Sequence, residues 1–182
     1  LFVGKIENRI KQEINKQLNA TVEWDDISLS LIRHFPDITL GMEQLRVVGK
    51  GQFDKDTLAA IGDFKVTMNL MSAFGDNVQV KQILIDKLLV NTIIAADSSV
   101  NWDIMLPSTE PEVAGDTTSS SFMASLQKIE ILDGRFYFKD RSMDLVFGAE
   151  GINALLEGDL QATKSELGIE ATANNLFLTM EK

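Results

Sequence analysis

Two stretches, Val78-Gln-Val-Lys-Gln-Ile-Leu-Ile-Asp-Lys-Leu-Leu-Val-Asn-Thr-Ile-Ile94 and Leu126-Gln-Lys-Ile-Glu-Ile-Leu-Asp-Gly-Arg-Phe-Tyr-Phe138, follow one plan. Each is an alternating apolar run, a polar pair, and a second apolar run. The pairs are Asp86-Lys87 and Asp133-Gly134. Asp-Gly is a strong hairpin signal, because both central residues of a type I′ turn need positive φ. The plan therefore predicts two β-hairpins with the remaining strands arranged around them.

Working outward, residues 1–19 read as a helix. Phe2, Ile6, Ile10, Ile14 and Leu18 recur every fourth position among charged and amide residues, which gives a narrow apolar stripe. Charges of both signs around that stripe favour packing on a sheet over lying in a membrane interface. From Ala20 the period becomes two. Val22 and Trp24 lead to Ile27 and Leu29; after a break at Pro36 come Ile38, Leu40 and Met42, then Leu45 and Val47 after a phase slip. Phe64, Val66, Met68 and Leu70 form the cleanest alternation, with one apolar and one polar face. The segment 107–121 is rich in Pro, Ser, Thr, Glu and Gly and reads as a loop. After it, the second apolar-polar-apolar stretch opens a further set of strands. The expected fold is α+β but mainly β: an N-terminal helix on a twisted, curved antiparallel meander, either a groove or a partial barrel. As one domain it divides into helix 1–19, a first β portion 20–106, the loop, and a second β portion 122–182.

The 182 residues carry a net charge of −10, which argues against a nucleic-acid partner. There is no cysteine, so disulfides and thiolate metal sites are excluded. His34 is the sole histidine and sits in a turn. Asp54-x-Asp56 opens like a calcium loop, but Ala59 and Lys65 stand where the glycine and the bidentate glutamate belong. Asp133, Asp140 and Asp144 could meet across the second hairpin. No nucleophile elbow or phosphate loop is present. Neither an enzymatic role nor a cofactor is expected, and Trp24 and Trp102 read as packing anchors.

The passage Leu18-Asn-Ala-Thr-Val-Glu-Trp24 running into Ser28-Leu-Ser-Leu-Ile-Arg-His-Phe-Pro-Asp-Ile-Thr-Leu40 resembles the opening of the AsmA family. Leu45-Arg-Val-Val-Gly49 and Asp56-Thr-Leu-Ala59 continue in the same style. Ser99-Val-Asn-Trp-Asp-Ile104 is similar to the Asn-Trp-Asp signature that ends the family's N-terminal module, and Gly134-Arg-Phe-Tyr-Phe-Lys-Asp140 looks like its later repeat. The resemblance implies the N-terminal part of a periplasmic protein held in the inner membrane by a removed anchor. It implies roles in outer-membrane assembly and phospholipid transport along an apolar β-groove, and further repeats of the same chain; such proteins are much longer than this piece.

Without the family, a sheet with one apolar face either curls around its side chains or leaves a trough for acyl chains. The candidate lining is Phe64, Val66, Met68, Leu70, Ile83, Ile85, Val90, Ile129, Ile131, Phe136 and Phe138, residues that would otherwise form the core under the helix. The alternative is a structural module that pairs through its exposed sheet edges and carries no lipid.

Overall fold

The computed structural model describes residues 11, 14–16, 18–31, 36–72, 79–106, 126–158 and 167–180. The chain is mainly β, as the alternation predicts, and the described residues form ten strands in one mostly antiparallel sheet. Three pairs of strands lie end to end. β1 (Ala20–Glu23) and β2 (Asp26–Ser30) both pair with β3 (Asp37–Gly49). Next comes β4 (Thr57–Asn69), then β5 (Val80–Asp86) and β6 (Leu89–Ile94), again end to end. β7 (Lys128–Asp140) and β8 (Leu145–Gly158) follow, and β9 (Leu167–Thr172) and β10 (Asn175–Met180) share the far side of β8. The ten strands therefore make seven long rows.

This corrects the two predicted hairpins. β5 and β6 do not pair with each other; both run between β4 and β7 as one kinked row. β7 passes straight through Asp133-Gly134. The reason lies in the dihedrals. Lys87 (φ 54°) and Asp133 (φ 48°) adopt positive φ, but neither neighbour in its polar pair does, and a type I′ turn needs two such residues in succession. Hydrogen bonds on either side then hold the chain extended. Lys87 N donates to Leu132 O (2.9 Å) and Arg135 N to Leu88 O (2.7 Å).

The two similar stretches instead lie side by side, parallel and in register, with Ile83 opposite Ile129, Ile85 opposite Ile131 and Val90 opposite Phe136. Rows one to four form one antiparallel meander and rows five to seven another, and this parallel contact joins them. The single meander expected from the sequence is thus two. A parallel contact requires the chain to return along the sheet; Ala95 to Leu106 begin that return. They bridge Ile94 to Val100 and Leu18 to Met105.

Of the predicted helix, Lys11 and Ile14–Lys16 are described and are helical, while Leu18 and Asn19 are described and are not; its other members lie outside the described residues. So do His34 and the predicted loop 107–121. The Asn15 side chain takes the place of a neighbouring strand residue. Its Nδ2 donates to Val22 O (3.0 Å) and its Oδ1 accepts from Val22 N (2.6 Å). Lys11 Nζ donates to Trp24 O (2.7 Å) and stands 4.6 Å from the Trp24 ring centre. Ala20, Val22 and Trp24 are accordingly buried, so Trp24 is the packing anchor expected. Trp102, at 41% exposure, is not. A second small core, Phe53, Ile93 and Ala95, forms where the 3₁₀ turn Gly51–Phe53 meets the return segment.

Candidate functional site

Every row shows the same irregularity close to one level. Apolar residues that alternate by two step once by three: Trp24 to Ile27, Met42 to Leu45, Ile61 to Phe64, Ile85 to Leu88 and Ala149 to Ile152. In the fifth row the step is Ile131 to Gly134, and in the seventh Ala171 to Asn174. The register sets these steps side by side in rows one to five; in row six the step lies one pair further along, because Gly134 faces Ile152 and Phe136 faces Ala149. Left alone, such a slip would throw half of each row's apolar residues to the other face. Local backbone irregularity prevents this in the manner of a bulge. Gln44 (φ 53°), Lys87, Asp133 and Gly151 (φ 61°) take positive φ at the seam, and the outer rows simply break there. Gly134 reports the outcome. A methyl group on it would lie 3.2 Å from Ile131 Cγ2 and 3.2 Å from Ile152 Cβ. Positions 131 and 134 therefore share a face, and the greasy residues on both sides of the seam make one surface.

All eleven predicted lining residues are half-buried; none is sealed and none fully exposed. The register brings most of them together. Phe64 lies between Met42 and Ile85, and Val66 between Leu40 and Ile83. Ile129 and Ile131 continue those lines across the parallel contact. Beyond the seam Val90 meets Phe136, and Phe136 packs against Phe147 with ring centres 6.3 Å apart. Leu70 lies past the end of β4 and is not in the ladder. Sequence reasoning missed the contributions of the outer rows. Leu29 is 66% exposed at one edge, and Ile169 (72%), Leu176 (65%) and Leu178 (62%) at the other. The signal was present in their alternation.

On one side of the seam the opposite face is mainly polar over rows two to five, with Thr39, Lys65, Thr67, Gln82, Lys128 and Glu130 around Leu84; past the seam it carries the buried Ile93. Thr39 and Thr67 hydrogen-bond across the strands at 2.9 Å, and Lys81 pairs with Asp37 at 2.8 Å. The three aspartates do not gather. Because β7 runs on past Asp133 without turning back, Asp133 and Asp140 are seven strand residues, or about 23 Å, apart. The Asp140 carboxylate accepts from the Ser142 hydroxyl (2.6 Å) and from the backbone N–H groups of Ser142 and Met143, and these bonds hold its pKa below the usual value. Asp56 is held by Arg141 (3.0 Å). Among the described residues no group of three or more potential metal ligands occurs, and no helix is long and apolar enough to cross a membrane. A polar recess of ≈ 500 Å³ between the 3₁₀ turn and the return segment lies off the apolar surface, and its Asn101 amide is already bonded to backbone.

One polar cluster fixes the outermost row. The Tyr137 hydroxyl donates to Glu150 Oε1 (2.6 Å), and Asn175 Nδ2 donates to Glu150 Oε2 (3.1 Å). Phe177 closes over Gly148, where no side chain would fit beneath it. The tyrosine bond, and then the asparagine bond, hold the Glu150 carboxyl below its ordinary pKa, and the same bond to Glu150 raises that of Tyr137. A carboxyl with a depressed folded pKa stabilises above the unfolded value, and that contribution disappears as pH falls through the folded value. Amides of β10 should therefore exchange faster with solvent, relative to β8, below about pH 4. Glu150→Gln should remove that pH dependence, as read by hydrogen exchange at matched intrinsic rates.

No protein-family model matches the chain, and none of the curated proteins matches it either.

Proposed function

We propose that this chain is a non-enzymatic lipid-handling module, in which the apolar face of the seven-row sheet receives the acyl chains of phospholipid. The observation that carries this reading is the seam: seven rows each slip by one residue, yet the greasy side chains stay on one surface, which is half-open apart from the part over Val22 and Trp24 that the helix covers. A purely packed core would have no need of Leu29, Ile169, Leu176 and Leu178 at its open margins. Acyl chains match such a surface because they bind by area, at ~25 cal/mol per Å², without fixed polar partners. Rows of 13 residues offer about 43 Å of length for this. The Ser-Leu-…-Phe-Pro and Asn-Trp-Asp passages support placing the chain with AsmA-like proteins, periplasmic and anchored in the inner membrane, acting in outer-membrane assembly and phospholipid homeostasis.

A second reading, an interaction module without lipid cargo, is favoured by one feature, the exposed edge of β9 and β10. Native mass spectrometry of the protein purified from a Gram-negative host separates the two. Phospholipid adducts that disappear on delipidation and return on adding phosphatidylethanolamine are expected. A protein that emerges empty and takes up none would refute the lipid reading.

A further inference from the structure

The two margins of the sheet are finished differently. At row one the Asn15 amide occupies the backbone of Val22 and Lys11 that of Trp24, so β1 is covered while the shorter β2 stays exposed. At row seven, among the described residues, β9 and β10 have β8 on one side and no strand on the other. Sheet margins that must stay unpaired usually carry lysine, proline or a charge turned inward. Residues 167–180, Leu-Gly-Ile-Glu-Ala-Thr-Ala-Asn-Asn-Leu-Phe-Leu-Thr-Met, contain no lysine, arginine or proline, and Glu170 is their one charge. The row is nevertheless held in place by Glu150 through Asn175 and by Phe177 over Gly148, so it presents an ordered template.

We propose that this margin accepts an extended segment of a partner polypeptide as an eighth row, and that the seam selects which segment. The row-seven break between Thr172 and Asn175 continues the line of slips that crosses every other row. A strictly alternating strand laid against it could match its apolar residues to Ile169 and Ala171 or to Leu176 and Leu178, but not to both, since a one-residue offset inverts the faces. The partner segment therefore alternates apolar and polar residues, steps once by three near its middle, and lacks charge on its apolar side. Recognition combines backbone hydrogen bonds with apolar contacts. This inference is independent of the lipid reading, because it concerns the margin and not the face.

The probe is a synthetic peptide with the sequence Leu145–Glu157, the row that already pairs with β9 and β10 on their inner side. Its control lacks Gly151, which restores strict alternation. Hydrogen exchange with mass spectrometry should show slowed exchange in 167–180 with the first peptide, and fluorescence anisotropy should give at least ten-fold weaker binding of the second. Leu178→Lys, at a position 62% exposed and so tolerant of the change, should weaken the first peptide at least ten-fold. Equal binding of both peptides, or binding of neither, would overturn the proposal. Protection of 167–180 in the protein alone, with a doubled mass in solution, would overturn it in favour of a second copy as occupant.

Discussion

Ile83→Glu should strip bound phospholipid from the protein, lowering the lipid-to-protein ratio at least ten-fold, while Gln82→Glu leaves it unchanged. Ile83 lies directly between Val66 and Ile129, near the middle of the apolar face. A carboxylate there must either keep its water, which holds acyl chains away, or be covered by them without a partner, at a cost of several kcal/mol. Gln82 is its immediate neighbour but lies on the polar face between Thr67 and Lys128. The second variant thus adds the same charge to the same strand on the other side. Because Ile83 is half-buried, its replacement also removes packing worth about 1–2 kcal/mol, so each variant's melting temperature must be measured alongside. The assay is binding of a fluorescent phospholipid. A folded Ile83→Glu protein that binds as tightly as wild type would end the proposal that this face holds lipid.

Much of this surface could be read in the sequence because β periodicity is local. Phe64, Val66 and Met68 declare a one-sided strand without reference to anything else. What the sequence misreported was the meaning of an interruption. Asp133-Gly134 satisfies a hairpin's chemistry, and so would the same pair in a bulge, where one positive-φ residue suffices. The choice between turning back and running on is made by the neighbours. Leu88 and Leu132 supply carbonyls on either side of the kink, and those come from a strand roughly 46 positions away in register, beyond the reach of any local window. The phase slip at Leu45 was visible for the same local reason, but its recurrence in all seven rows becomes legible once the strands are aligned. The parallel contact of the two similar stretches was likewise hidden, since similarity alone does not say whether two segments are neighbours. The outermost strands were recognised as alternating, yet their place at a bare margin, and hence their exposure, depends on the order of rows.

The most damaging single truncation should be Asn101→Ala, with a loss of about 2–5 kcal/mol in unfolding free energy. β4 pairs with β6 at just two positions, Ala59 with Val90 and Ala60 with Leu89. Past Val90 the β6 backbone would face inward without a ladder. Asn101 fills that place. Its backbone N donates to Ile93 O (3.1 Å), its Oδ1 accepts from Ile93 N (2.7 Å) and its Nδ2 donates to Asn91 O (2.8 Å). Ile93 is fully buried and Asn101 is 3% exposed, so removing the amide orphans the buried Ile93 N–H and takes the donor from the part-buried Asn91 O. An orphaned buried group costs about 1–3 kcal/mol, and two backbone groups lose their partner here. Against a typical stability of about 5–15 kcal/mol that is a large fraction. Asn101→Asp keeps an acceptor for Ile93 N but loses the donor to Asn91 O, and should fall between. Equilibrium urea unfolding measures both, and an Asn101→Ala loss under about 0.5 kcal/mol would show that the strand end does not depend on this side chain. The consequence reaches the apolar face, because the segment that Asn101 anchors goes on to the bridge between Met105 and Leu18 and to the bond from Asn19 N to Ile104 O (2.7 Å). Releasing it should loosen the helix that covers Val22 and Trp24. Hydrogen exchange in Asn101→Ala should therefore rise in Ala20–Glu23 as well as in Leu89–Ile94, whereas β7 and β8 keep their protection.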